Sequence, residues 1–225
     1  MSKKAVCIVS GGMDSAVAAA IAKKKGYEII ALHFNYSQKT QQKELEAFEL
    51  IAKDLDAKEK LIIDLDFFKD IGATALIDEN LEVPTEGIKP GVPITYVPFR
   101  NGIFLSIAAA VAQKYYADAI YIGVVEEDSS GYPDCREEFI NSMQKSINLG
   151  LKDDIEVKIE APLIHMSKKD IVKKALELGV KLEHTWSCYK NSDKACGVCD
   201  SCRLRLKGFK EAGVEDKIEY ETRAL

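Results

Sequence analysis

Long apolar runs are missing from this sequence, and so are a basic excess and more than a few histidines. The longest nearly apolar stretch, Ile103 to Ala112, falls far short of the roughly 20 residues needed to span a bilayer. The run Ala5 to Val9, behind Met-Ser-Lys-Lys, is too short for the apolar region of a signal peptide. A cytoplasmic protein without a membrane partner is the expectation. Lys and Arg number 31 against 36 Asp and Glu, a formal net charge of -5, which argues against a broad basic face for direct nucleic-acid contact. The only histidines are His33, His165 and His184. A Ser-His-Asp triad has no support, and His33 reads as a strand residue without ligand partners at metal spacing.

What is present begins with a chain of 225 residues, 47% hydrophobic and 30% charged, enough for one substantial core with a small appendage. Ala5 to Val9 reads as a strand, the following glycine pair breaks it, and Ala16 to Lys25 is an alanine-rich helix. A strand at Glu28 to Tyr36 precedes a helix from about Gln41 to Leu55, with Leu45, Phe48, Ile51, Ala52 and Leu55 as one apolar stripe. Lys60 to Leu65 is a third strand. Between Phe67 and Pro98, Pro84, Gly87, Pro90, Gly91 and Pro93 interrupt every period, so this segment reads as a long loop or lid. Asn101 is the expected N-cap of a helix to about Ala117, and Ala119 to Val125 has the continuous apolar character of a buried parallel strand. A helix from about Cys135 to Leu149 turns Phe139, Ile140, Met143 and Ile147 inward; a strand at Ile155 to Ala161 and a helix capped by Ser167, with Asp170 three residues on, complete the core. Strands alternating with helices at these lengths specify a doubly wound, Rossmann-like parallel sheet, whose ligands bind at the carboxyl ends of the strands. The expected division is 1–180 for the parallel-sheet domain and 181–225 for a cysteine knuckle with a helical tail.

After the first strand comes Ser10-Gly11-Gly12-Met13-Asp14-Ser15. Glycine carries no Cβ and accepts positive φ, so the backbone can approach an anion, and the next helix aims its N–H groups at the same point. Ser10 and Ser15 can add hydroxyl donors, and Asp14 can hold the Mg²⁺ that accompanies a nucleotide. The plain alternative is a glycine turn capped by Asp14 or Ser15. The pattern is neither the dinucleotide fingerprint nor the Walker sequence, which disfavours both of those sites.

Cysteine is unevenly spread: Cys7 and Cys135 stand alone, whereas Cys188-x7-Cys196-x2-Cys199-x2-Cys202 concentrates four. Such clustering points to metal in a reducing compartment, not to disulfides. Four thiolates complete a tetrahedral Zn²⁺ and leave no position for water, so the site reads as structural; an iron–sulfur cluster is the rival, because spacing does not choose between them. Cys7, mid-strand, reads as core, and Cys135, with no histidine near it in sequence, as a pocket wall in preference to a nucleophile.

The segment Glu126 to Arg136 follows the expected strand directly, which places it at the ligand edge. There Asp128, Asp134 and Glu137 can accept from the N–H edge of a guanine-like ring, Tyr132 can stack on it, and Arg136 can pair with a substrate carboxylate. The plain alternative is a solvated turn before a capped helix.

The Ser10 to Ser15 loop resembles that of the ATP pyrophosphatase (PP-loop) superfamily. Further blocks sharpen the likeness: Tyr96-Val97-Pro98-Phe99-Arg100-Asn101 with Phe104-Leu105-Ser106, and Ser130-Gly131-Tyr132-Pro133-Asp134-Cys135-Arg136 with Glu138-Phe139-Ile140. Pro162-Leu163, Lys168, Ile171, Ser187-Cys188-Tyr189 and Cys196-Gly197-x-Cys199-x-x-Cys202 continue it over almost the whole chain. Together they resemble the 7-cyano-7-deazaguanine synthase family. Tyr36-Ser37-Gln38-Lys39-Thr40 departs from that family, which more often has Gly after the Tyr and a Gln-Arg-His run.

The resemblance implies an adenine nucleotide alpha hydrolase-like fold, ATP with Mg²⁺, one structural Zn²⁺ and a homodimer. It also implies conversion of 7-carboxy-7-deazaguanine and ammonia into the nitrile by two successive adenylations, in queuosine biosynthesis. Arg100 and Lys168 are then the residues that balance developing phosphate charge, alongside Asp14. Two other readings stay open: a related ATP pyrophosphatase that thiolates or amidates another base or a tRNA, and a zinc-knuckle nucleic-acid-binding protein with a regulatory nucleotide loop.

Overall fold

In the computed structural model, which describes residues 2–87, 91–126 and 131–223, five short strands form one sheet. They are β1 (Lys4–Ile8), β2 (Glu28–Asn35), β3 (Glu59–Asp64), β4 (Ala119–Tyr121) and β5 (Lys158–Glu160). Every pairing is parallel and the order is β3-β2-β1-β4-β5. The chain winds outward from β1 to β3, then returns past β1 to β4 and β5. The change of direction between β1 and β4 is where this architecture opens a ligand crevice.

Side chains alternate across a strand, so both faces of the central strands must be covered. On one face Val6, Ile8, Ile30, Leu32, Phe34 and Ile120 pack against Phe104, Leu105 and Ala108 of α4 (Arg100–Tyr115) and Ile140 and Ile147 of α5 (Glu137–Gly150). On the other, Ala5, Cys7, Ile29, Ala31, Ala119 and Tyr121 meet α1 (Met13–Lys24) through Ala16, Ala19 and Ala22. The same face meets α2 (Gln41–Asp54) through Phe48, Ile51 and Ala52. The sheet is doubly wound, as the alternation of elements requires. Cys7 is fully buried there and its thiol is pushed up by desolvation, the state of a core residue and not of a nucleophile. His33 is core as well, with its ring against Phe48 and Nδ1 2.8 Å from the Val9 carbonyl.

Two further helices, α6 (Lys168–Glu177) and α7 (Asp200–Ala212), pack on α1 through Val17, Ala18, Ile171, Val172, Ala175 and Phe209. At the start of α6 the Ser167 hydroxyl accepts from the Asp170 N–H, the expected cap, worth about 1 kcal/mol. No helix among the described residues is long and apolar enough to cross a membrane.

Several boundaries differ from those expected. Helix α1 begins at Met13, inside the glycine loop. The strand expected at 119–125 stops at Tyr121, and that expected at 155–161 shrinks to β5, because the sheet is narrow there and β5 is its edge. Within 67–98 the described residues form one short helix, α3 (Phe68–Ile71), and turns. Asn101 does not cap α4. Phe99 holds the N-cap position in the left-handed region (φ 53), and the Asn101 N–H is satisfied by Asp134 Oδ2 at 2.9 Å. The cap comes from a segment 33 residues away, which no local pattern announces.

The C-terminal segment is fastened by one buried cation. Arg205, 1% exposed, donates bidentately to Asp216 (2.6 and 3.0 Å) and also to the Thr185 hydroxyl and the Leu182 carbonyl. A fork of five N–H groups satisfied by two other segments is the condition under which a buried ion pair is tolerated. It ties α7, residues 182–187 and the tail into one unit.

Candidate active site

The glycine loop leaves the carboxyl end of β1 and folds on itself. Ser15 Oγ accepts from the Ser10 N–H (3.1 Å) and the Ser10 hydroxyl (3.2 Å) and donates to the Gly12 carbonyl (2.9 Å); the Gly12 N–H reaches Ser10 Oγ at 3.3 Å. The two hydroxyls expected to face a ligand therefore staple the loop. Gly12 caps α1 with no side-chain bond to the first-turn N–H groups, which suits an incoming anion. Gly11, at φ +92, lies so close to α2 that a Cβ would stand 2.5 Å from the Glu44 carbonyl oxygen, and its own carbonyl accepts from the Trp186 N–H at 2.8 Å. Met13 buries its side chain in the core formed with α6 and α7.

Gly123, just past β4, lies against the same turn: a Cβ there would be 2.6 Å from the Ser15 nitrogen and 2.7 Å from the Asp14 carbonyl carbon. No local pattern singles it out, because its reason is this tertiary contact. Gly123→Ala should push the loop away from the strand. A melting-temperature drop equivalent to about 1–3 kcal/mol of overpacking, with weakened ATP binding by calorimetry, is the expected result. An unchanged melt and unchanged affinity would refute the contact.

Around the loop is a cavity of about 220 Å³. Ser10, Gly12, Asp14 and Ser15 form one wall, Arg100, Tyr132 and Cys135 another, and Lys168 a third. Lys168 Nζ donates to Asp14 Oδ2 at 2.5 Å, with the two side chains 9% and 27% exposed. The other carboxylate oxygen, Asp14 Oδ1, is buried with no hydrogen-bond partner among the described residues. A carboxylate held on one side and open on the other suits a hard divalent cation. Lys168 is seated by Gly208 of α7, where a Cβ would come within 2.8 Å of Lys168 Cβ. Arg100 Nη1 donates to the Tyr36 hydroxyl at 2.9 Å, and its guanidinium lies 5.3 and 5.8 Å from the ring centroids of Tyr36 and Phe104. Cationic groups thus bracket the mouth of α1, the arrangement that phosphate charge requires.

The remaining expected residues divide. Tyr132 lines the cavity, its hydroxyl 2.9 Å from Thr95 Oγ1. Cys135 also lines it and accepts from the Asn101 amide at 3.3 Å; burial and the neighbouring Asp134 push its thiol up to about 12, so it is a protonated wall residue. Asp134 is buried, and its carboxylate and carbonyl are spent on Asn101 instead of the cavity. Arg136 and Glu137 are exposed at the start of α5, where the Glu137 N–H donates to Glu126 Oε2 (2.9 Å) and its carboxylate lies 3.4 Å from His165 Nε2. Neither is among the lining residues. Asp128 falls outside the described residues. Among the lining residues to which the sequence assigns no role are Glu44, Tyr36, Trp186 and Tyr189.

Behind this site, Cys188, Cys196, Cys199 and Cys202 are all buried, with their sulfurs within 4.8 Å of one another. Four sulfurs about 2.3 Å from a central ion lie at such separations, so the cluster could hold a tetrahedral metal ion. The N–H groups of Lys190, Asn191 and Cys196 point at Cys188 Sγ, and that of Cys199 at Cys196 Sγ, which favours thiolates. Bonds among the four sulfurs hold Cys188 and Cys196 below the usual thiol range and push Cys199 and Cys202 up, so the cluster titrates as a unit. The tail closes over it through Ala195, which bonds Glu219 and Glu221. Trp186, two residues before Cys188, donates its N–H to the Gly11 carbonyl, so the cysteine cluster is tied to the glycine loop.

A family model described as "Queuosine biosynthesis protein QueC" matches residues 4–213. The chain is 65% identical over 219 residues to the 7-cyano-7-deazaguanine synthase of Nautilia profundicola, covering 97% of this chain and 99% of that protein. It is 64% identical over 220 residues to the enzyme of the same name from Campylobacter fetus subsp. fetus, 98% of each chain. Among solved structures, a 4-thiouridine synthetase–RNA complex with bound ATP superposes with a TM-score of 0.54 at 20% identity, over 94% of this chain and 50% of that one. A predicted subunit of tRNA methyltransferase from Methanocaldococcus jannaschii gives 0.50 at 20% identity, over 94% and 89%. At such identity these two likenesses concern the fold alone. The near full-length identity to the synthases and the family match across residues 4–213 place this chain in the queuosine biosynthesis protein QueC family.

Proposed function

We propose that this protein converts 7-carboxy-7-deazaguanine and ammonia into 7-cyano-7-deazaguanine at the expense of ATP, in the cavity at the junction of β1 and β4. The observation that carries the chemistry is the Asp14–Lys168 pair beside an uncapped α1, with Asp14 Oδ1 buried and open. A carboxylate is a poor electrophile, so its oxygen first attacks the α-phosphorus of ATP and pyrophosphate leaves. Ammonia then displaces AMP to give the amide. The amide oxygen attacks the α-phosphorus of a second ATP, pyrophosphate leaves and one N–H proton is lost; departure of AMP with loss of the second N–H proton then leaves the nitrile. Loop N–H groups hold the phosphates, Lys168 and Arg100 balance the charge that develops on them, and Tyr132 stacks on the base. Asp14 would hold Mg²⁺, which supplies further charge compensation for the departing pyrophosphate.

The four cysteines would hold Zn²⁺, whose closed tetrahedral shell leaves it a structural part. On this reading 1–180 carries the chemistry and 181–225 braces it. Direct nucleic-acid binding is disfavoured by the net charge of -5. A cytoplasmic homodimer is carried over from the resemblance alone.

The test is mass spectrometry of base and nucleotide products after incubation with ATP, Mg²⁺, ammonium and 7-carboxy-7-deazaguanine. The nitrile appearing together with AMP is the expected result. An unchanged base with intact ATP would sink the assignment and favour an RNA-directed relative.

A further inference from the structure

One carboxyl group in the cavity has no part in phosphate chemistry. Glu44, on the first turn of α2, lines the cavity together with Ser10, Tyr36 and Arg100. Its carboxylate is oriented from both sides: the Thr40 hydroxyl donates to Oε1 at 2.7 Å and the Gln38 amide to Oε2 at 3.0 Å. Gln38 is fixed in turn by the Tyr36 N–H, which donates to its Oε1 at 2.9 Å. Each carboxylate oxygen has room for two hydrogen bonds and takes one from these partners, so one site on each is left over. Among the described residues no cation lies within ion-pair distance of Glu44. The charged and titratable groups facing it are Arg100 of α4, whose Nη1 is directed to Tyr36, and Tyr36 itself, whose phenol burial keeps protonated. Burial raises the Glu44 carboxyl to about 6, against the pull of Thr40, Gln38 and Arg100.

The proposed reaction needs a nucleophile that is mostly the wrong species at neutral pH, because ammonium has no lone pair. We propose that Glu44 is the ammonium site, binding the cation beside the acyl adenylate and taking its proton to release ammonia. In that step one N–H bond breaks and its proton moves to a Glu44 oxygen. The freed lone pair forms the C–N bond, the carbon–oxygen bond to AMP breaks with its electron pair leaving on AMP, and a second proton from nitrogen goes to water. Glu44 returns its proton to water before the next cycle. A small cation with four donors suits a carboxylate that already has two neutral donors and vacant acceptor sites.

This inference rests on the proposed amidation, and its experiment separates the two. Glu44→Gln keeps the shape and the bond from Thr40 but cannot take a proton. With ammonium as nucleophile, kcat/KM should fall on the order of 100-fold. ATP–pyrophosphate exchange dependent on 7-carboxy-7-deazaguanine should persist, and hydroxylamine, which is neutral near pH 7, should still give the hydroxamate. In the parent protein kcat/KM for ammonium should decline as pH falls through about 6, a limb the variant lacks. Equal loss with hydroxylamine and ammonium, or no loss with ammonium, would overturn the role of Glu44. Absence of exchange in the parent protein would instead overturn the amidation beneath it.

Discussion

Asp14→Asn should lower turnover on the order of 10²–10³-fold while leaving the protein folded. The change removes the charge that Lys168 Nζ meets at 2.5 Å and the open oxygen that suits a divalent cation. Lys168→Met removes the other member, and because the two form one unit, the double variant should be scarcely slower than either single one. Stability should respond less than in a fully buried pair, since Asp14 is 27% exposed and water can take over part of its solvation. Pyrophosphate exchange and thermal melting on the three variants check both points. Multiplicative losses in the double variant would mean that the two residues act separately.

The other large effect concerns the cysteines, at a distance from the chemistry. Cys199→Ala, or prolonged chelation, should strip the metal and remove a contribution to folding on the order of 10 kcal/mol, as in small structural zinc modules. Cys199 precedes α7, which packs on α6, and Trp186 N–H bonds the Gly11 carbonyl, so loss should spread to Lys168 and the phosphate loop. Elemental analysis should find one zinc per chain in the parent protein, and the metal-free protein should melt far lower and bind ATP weakly. Unchanged melting and ATP affinity after metal removal would contradict the bracing role; iron and sulfide in place of zinc would correct the metal.

How much was legible in the sequence follows from the range of each contact. The runs over β1 and β2 announce a doubly covered parallel sheet, because strands buried on both faces carry apolar residues without alternation. The loop from Ser10 to Ser15 and the four cysteines announce themselves because their geometry is made by neighbours in the chain. The Ser167 cap is legible for the same reason. The cap of α4 is not legible, because Asn101 looks like a capping residue whereas Asp134, brought in by the fold, does the capping. The same contact takes Asp134 out of the ligand role its sequence position suggests, because it is occupied by buried bonds from Asn101. Glu44 looked like any carboxyl on the polar first turn of a helix; only the closure of Gly11 and Arg100 around α2 makes it a cavity residue. Gly123 is silent in the sequence for the matching reason, since the Cβ it lacks would meet residues more than a hundred positions earlier in the chain.

Double adenylation makes one demand that no other route to the nitrile shares: each carboxylate oxygen must depart on AMP. With both carboxylate oxygens of 7-carboxy-7-deazaguanine replaced by ¹⁸O, mass spectrometry of the nucleotides should find two AMP per nitrile, each carrying one ¹⁸O, with unlabelled pyrophosphate. Label in inorganic phosphate together with ADP would mean attack at the terminal phosphate and would contradict the assignment of this loop, while label released into water would mean that the oxygens leave without activation by ATP.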